Sequence, residues 1–207
     1  MIEKYYAVRW KEGNTAIKFG SWNTVSKTIQ GHPGVTFKSF LLKEDAEEWL
    51  LKDSIPFRDK DTPFQKDKIY MFVDGSFSSK RMVSGWGFVA IRNEQIIHQD
   101  NGILTEADTD LTSRNICGEL KAATEAILWY SSAGLDGKGV IVCDYIGIAN
   151  WALGFWSSSS PVAVDYIKKV TPHLEKIEFE KCSGHSGTIW NDYADELTRK
   201  GYLDEKN

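Results

Sequence analysis

Cysteine is scarce: Cys117, Cys143 and Cys182 are the only three in 207 residues. An odd number without CxxC spacing excludes a closed disulfide framework and a zinc ribbon, so all three read as reduced packing residues. No HxxxH pair or Cys/His cluster with zinc spacing occurs either. No apolar run approaches the roughly 20 residues of a membrane-spanning helix, and no charged start, apolar middle and small-residue cleavage site opens the chain. The expectation is a soluble, cytoplasmic protein with no membrane partner. Internal repeats are absent, and Ser157 to Ser160, read as a loop between helices, is the one low-complexity patch. Strong net charge is missing too: −4 overall argues against indiscriminate binding to polyanions. The charge is unevenly placed, however. Residues 1–43 carry seven Lys and Arg against two acids, and Glu44, Asp45, Glu47 and Glu48 then cluster on the next helical stretch as a solvated face.

Four carboxylates stand out against this background. Ile69 to Val73 is a short apolar run that stops at Asp74 and a glycine turn, and Val140 to Cys143 repeats the pattern ahead of Asp144. Both read as buried strands that expose an acid at their C-terminal edge, where ligands of α/β sheets gather. Glu119 lies in the first turns of a helical pattern that runs from Arg114 through Ala122, Ala126 and Tyr130 until Gly134 ends it. Asp195 belongs to a late helix in which Ile189, Tyr193 and Leu197 form one stripe, while Asp192 and Asp195 share another face by i,i+3 spacing. Converging carboxylates suit a hard cation such as magnesium. Trp151, Phe155 and Trp156, at helical spacing after Asp144, are assigned to packing.

The pieces Asp74-Gly75-Ser76, Arg114-Asn115-x-x-Gly118-Glu119, Cys143-Asp144-Tyr145-x-Gly147-Ile148, Gly184-His185-Ser186-Gly187 and Asn191-Asp192-x-Ala194-Asp195 come in an order that resembles ribonuclease H of the type I class over about residues 68–202. An isolated Asp-Gly-Ser is usually a turn; these five pieces in register are specific. The resemblance implies an endoribonuclease that hydrolyses the RNA strand of an RNA/DNA hybrid, with Asp74, Glu119, Asp144 and Asp195 holding two Mg²⁺ ions that Mn²⁺ can replace. One ion would activate a water and the other stabilise the departing 3′ oxygen, leaving 5′-phosphate and 3′-hydroxyl ends. By the same resemblance His185 is an auxiliary catalytic group that moves protons or releases product. Asn115 reads the minor groove, Gly75 and Ser76 contact ribose hydroxyls, and Thr112 and Arg114 hold a phosphate of the DNA strand.

A second resemblance covers residues 1–51. Tyr5-Tyr6-Ala7-Val8-Arg9, Gly20-Ser21-Trp22 and Gly34 to Phe40, followed by a helix from Glu44 to Leu51, are similar to the small hybrid-binding domain found ahead of some ribonucleases H. It implies that Tyr6, Trp22 and Phe37 face nucleic acid and that Lys38 binds phosphate; Ser39 stands where some relatives have a second lysine. The implied ligand is an RNA/DNA hybrid, with double-stranded RNA also admitted. In so small a module Trp22 and Phe37 are also candidates for the core.

The expected architecture is a small α+β module of ββαβ type (1–51), a linker of mixed charge with Pro56 and Pro63 (52–67), and an α/β catalytic domain (68–207). The latter has a ribonuclease-H-like five-stranded mixed sheet with helices on both faces. Its first three strands would be hairpin-connected, with strands near 138–144 and 176–182 added in parallel. Two alternatives stay open, a non-catalytic hybrid-binding protein and another nuclease of the same fold. The complete acid set counts against the first and the N-terminal module against the second.

Overall fold

The computed structural model describes residues 3–10, 15–32, 34–52, 55–104, 114–156, 158–184 and 188–200. The chain divides into two compact units, Met1–Ser54 and Ile55–Asn207.

The first unit is a three-stranded antiparallel sheet in the order β2-β1-β3, built from β1 (Lys4–Arg9), β2 (Thr15–Gly20) and β3 (Thr36–Phe40), with α1 (Trp22–Ile29) and α2 (Lys43–Lys52). Alternation along β1 serves both faces. Tyr6 and Val8 pack with Val25 and Ile29 of α1, while Ala7 is buried on the opposite face and Arg9 lies over the Trp49 ring of α2 at 4.9 Å, donating to Leu50 O at 3.2 Å. A helix on each face lets a module of this size bury a core.

The second unit holds β4 (Lys68–Ser78), β5 (Val83–Arg92), β6 (Gln95–Ile103), α3 (Arg114–Ser132), β7 (Lys138–Cys143), α4 (Gly147–Ala152), α5 (Pro161–Val170), β8 (Ile177–Lys181) and α6 (Ile189–Lys200). Its sheet order is β6-β5-β4-β7-β8, antiparallel through β6-β5-β4 and parallel through β4-β7-β8. Asn93 and Glu94, both at positive φ, make the tight β5–β6 hairpin. Side chains on one sheet face, including Met71, Val73, Phe88 and Ile141, pack under α3, α4 and α5. Those on the other, including Tyr70, Phe72, Val89 and Val142, pack under α6 with Ala194 and Leu197. The expected five-stranded mixed sheet with helices on both faces is thus present.

Two local expectations are corrected. Ile189 is 76% exposed; the buried stripe of α6 is Asn191, Ala194, Leu197 and Thr198, because the i,i+3,i+4 set facing the sheet starts at Asn191. The stretch 52–67 is also no free linker beyond Ile55. Phe57 bridges in parallel to Lys181, Arg58 N donates to Lys181 O at 2.7 Å, and Lys181 N donates to Pro56 O at 2.8 Å. These bonds cover the edge of β8, which would otherwise present unpaired backbone. Arg58 is buried among Glu180 (Nε to Oε2, 2.5 Å), the carbonyl of Thr62 (2.8 Å) and the rings of Phe64 and Tyr70. A guanidinium needs such a tertiary cage to be tolerated inside, and charge composition alone reads the segment as solvated.

Candidate active site

Asp74 lies on β4 just beyond the last residue that pairs with β7, and Asp144 follows directly on the end of β7. Two neighbouring parallel strands therefore deliver both acids to the same edge. Glu119 reaches this edge because α3 docks on β4 through two glycines. A Cβ on Gly75 would lie 2.1 Å from the Glu119 nitrogen, and one on Gly118 would lie 2.6 Å from the Gly85 carbonyl. Any side chain at either position would push the helix away. Carboxylate oxygens of Asp74, Glu119 and Asp144 lie within 4.8 Å of one another. Gly184 approaches from the far side, its hydrogen standing where a Cβ would be 2.6 Å from Asp144 Oδ2.

Asp195, from the middle of α6, lines the same cleft of about 300 Å³ but is not in the tight cluster. Its Oδ2 accepts from Arg199 Nη2 at 2.5 Å, one helical turn on. Asp192 is exposed and does not line this cleft.

The electrostatics follow from crowding. Burial, then the neighbouring Asp144 charge, pushes the Asp74 carboxyl up to about 7, although the Gly75 N–H donates to Asp74 Oδ1 at 2.8 Å. Burial and the Asp74 charge hold Glu119 well above the usual carboxylate range. Burial, with the Glu119 charge added, also raises the Tyr145 hydroxyl. Glu119 Oε2 is fully buried without a hydrogen-bond partner. Packing like charges this closely, with one oxygen unsatisfied, is unfavourable unless a cation completes the group. All-oxygen donors fit a hard divalent ion.

Gly75 and Ser76 line the cleft. Thr112 and His185 lie outside the described residues, as do the side chains of Arg114 and Asn115. Three further residues line the cleft: Phe77, Asn191 and Arg199. Asn191 was visible as part of the Asn-Asp-x-Ala-Asp motif and, four residues before Asp195, shares its helix face. Phe77 carries no local signal beyond its distance from Asp74.

In the N-terminal unit the structure stacks Trp22 on Phe37 (centroids 4.7 Å apart, planes at 28°), each 43% exposed, with Tyr6 beneath at 5.7 Å from Trp22 and buried. Lys38 is not brought to them. It pairs with Ala7 on the opposite face of the sheet, its Nζ over Phe40 at 5.7 Å. Lys18, the register partner of Tyr6, points to the Trp22–Phe37 face instead.

Cys143 and Cys182 are buried on opposite sheet faces, and burial pushes both thiols up, Cys182 to about 12. Neither is a nucleophile at neutral pH. Trp151 packs against the core, Tyr145 meets it edge-on at 5.9 Å, and Trp156 does so from the other side at 5.7 Å. Among the described residues no helix is long and apolar enough to cross a membrane.

Sheet order and acid cluster together define an α/β protein with a carboxylate cluster that could hold a metal ion. The ribonuclease H family model matches residues 66–202, and that of the ribonuclease H1 N-terminal domain matches residues 4–50. A curated relative, ribonuclease H of Syntrophomonas wolfei subsp. wolfei, is 31% identical over 144 residues, which is 64% of this chain and 94% of that protein. Among solved structures, LC11-RNase H1 in complex with an RNA/DNA hybrid has a TM-score of 0.55 at 16% identity, covering 67% of this chain and 99% of that one. RNase H1 of the archaeon Halobacterium salinarum NRC-1 has a TM-score of 0.53 at 16% identity, covering 66% and 98%. The chain belongs to the ribonuclease H family, type I class with the ribonuclease H1 N-terminal domain, and is a ribonuclease H enzyme.

Proposed function

We propose that the cleft hydrolyses the RNA strand of RNA/DNA hybrids with two magnesium ions, replaceable by manganese, held by Asp74, Glu119, Asp144 and Asp195. The observation that carries this is the set of three carboxylates within 4.8 Å of one another, including a buried Glu119 oxygen without a partner. Bound there, the metal would supply a nucleophilic water at neutral pH and positive charge for the departing oxygen, consistent with 5′-phosphate and 3′-hydroxyl products. Asp74, electrostatically coupled to Glu119, Asp144 and Asp195, is the residue suited to be shared between ions. Asp195, whose carboxylate here accepts from Arg199, would complete the set. Gly75 and Ser76 supply backbone and hydroxyl groups for ribose 2′-hydroxyls, the sugar feature that separates RNA from DNA. His185, Thr112, Arg114 and Asn115 keep their roles as proton shuttle, phosphate anchors and minor-groove reader. In the cell the reaction takes place in the cytoplasm.

The test is a hybrid labelled on each strand in turn. Mg²⁺-dependent cutting of the RNA strand alone is expected, with 3′-hydroxyl ends that a polymerase extends. Equal cutting of duplex DNA, or full activity in EDTA, would refute the assignment.

The N-terminal unit contributes the hybrid contact through Trp22 and Phe37, whose half-exposed stacked rings offer a platform for sugars or bases, with Lys18 on the same face supplying salt-sensitive attraction. Double-stranded RNA is a second ligand for the same platform. Trp22→Ala in the full chain should weaken hybrid binding by about 1–3 kcal/mol and leave the melting midpoint nearly unchanged, as calorimetry and a binding titration will show. Tyr6→Ala should instead lower the midpoint, since Tyr6 is core.

A further inference from the structure

We infer that Asn191 is a substrate-contacting residue, donating from its amide nitrogen to a non-bridging oxygen of the phosphate in the cleft, and that the buried Cys182 thiol holds the amide in that orientation. The inference rests on the hybrid-cleavage assignment above and adds a residue to it. Asn191 is 4% exposed and lines the acid cleft one helical turn before Asp195. Its Oδ1 accepts from Cys182 Sγ at 3.2 Å, a fully buried contact. A thiol is a donor here, so it selects the amide rotamer with oxygen inward and nitrogen outward. The nitrogen has no protein partner among the described residues.

The surroundings say what it binds. The polar lining is Asp74, Glu119, Asp144 and Asp195, with Ser76 and Arg199. Phosphate entering such a cleft meets acceptors on most sides. A neutral amide can bond a phosphate oxygen without pairing with the carboxylates as a lysine would, and without drawing them from a cation. Cys182 is suited to orient it because its thiol, pushed up to about 12 by burial and the Asp144 charge, keeps its proton across the working range.

Full-length variants test this by three readouts: kcat/KM on a hybrid, Mn²⁺ affinity of the nucleic-acid-free protein by calorimetry, and the melting midpoint. Asn191→Ser should lower kcat/KM about ten- to a hundredfold, the scale of one hydrogen bond to a charged group, with Mn²⁺ affinity unchanged. Asn191→Asp, nearly isosteric, should lower kcat/KM further while tightening Mn²⁺. Cys182→Ala, which frees the amide to flip, should fall between wild type and Asn191→Ser, and Cys182→Ser, which restores a donor, should recover most of the loss. Wild-type kcat/KM in Asn191→Ser overturns the inference, as does a parallel loss of Mn²⁺ affinity, which would make Asn191 a support for the metal ligands. Should Asn191→Ser melt early, the Cys182 pair decides: equal kcat/KM for Cys182→Ala and wild type overturns it. Asp74→Asn is run beside them. An active Asp74→Asn removes the catalytic assignment itself, whereas a dead Asp74→Asn beside a wild-type Asn191→Ser removes only the role of Asn191.

Discussion

Asp74→Asn is expected to lower hybrid turnover by about a thousandfold and, in the same protein, to raise the stability of the metal-free enzyme at pH 8. Losing one shared ligand charge costs several kcal/mol of transition-state stabilisation, and about 4 kcal/mol corresponds to that factor. The gain in stability follows from proton linkage. The folded-state pKa of Asp74 is raised from 3.8 to about 7 by burial and by Asp144, so the folded protein binds a proton more tightly than the unfolded chain does. The associated stability is complete below about pH 4 and is lost as pH rises through about 7. In EDTA the wild type should therefore lose on the order of 3 kcal/mol between pH 5 and pH 8 from this group. Asparagine carries no charge to desolvate, so the variant should lack that slope. Mg²⁺ should restore wild-type stability at pH 8 by binding the folded state and do little for the variant. Chemical denaturation at the two pH values, with and without Mg²⁺, measures all of this. A variant with the wild-type pH slope would place the raised acidity elsewhere in the cluster.

Arg58→Ala should destabilise the second unit by about 3–5 kcal/mol, because it leaves the partly buried Glu180 without its ion-pair partner and empties the space over Phe64 and Tyr70. It also loosens the segment that closes the edge of β8. Urea unfolding followed by tryptophan fluorescence gives the number. The double variant Arg58→Met with Glu180→Leu should recover much of the loss, since a well-packed apolar pair avoids the desolvation of two ions. A truncated enzyme beginning at Lys68 should behave like Arg58→Ala or worse, and the minimal stable second unit should begin near Ile55. A Lys68 start with undiminished stability would show that the 55–67 segment contributes nothing.

The parts of this protein legible in its sequence are those governed by local rules. A β-branched apolar run ending in Asp-Gly, a helix opened near Arg114 and closed at Gly134, and the alternation along β4 each follow from periodicity and turn chemistry within a few residues. They placed Asp74, Glu119 and Asp144 at element ends that do converge. One face assignment failed for a reason that lies outside the local window. The stripe of α6 was set from its hydrophobic residues, yet Asn191 is buried in place of Ile189 because the set facing the sheet starts at Asn191, where the buried Cys182 meets it. Lys38, implied by the resemblance to bind phosphate, stands on the opposite sheet face from Trp22 and Phe37, because neighbours along a strand point opposite ways.

Sequence alone, then, singled out the four acids by their places at element ends and on one helix face, and through the resemblance to ribonuclease H it implied the two modules and the order of strands. Tertiary structure decided the rest. Gly75 against Gly118 sets how near Glu119 comes to Asp74, and Arg58 becomes a buried clamp only where Glu180, Phe64 and Tyr70 surround it. Asn191 turns from a helix polar residue into an oriented donor only because Cys182 reaches it from the end of β8. Each of these depends on the distance between residues far apart in the chain, and that distance is fixed by how the layers close-pack.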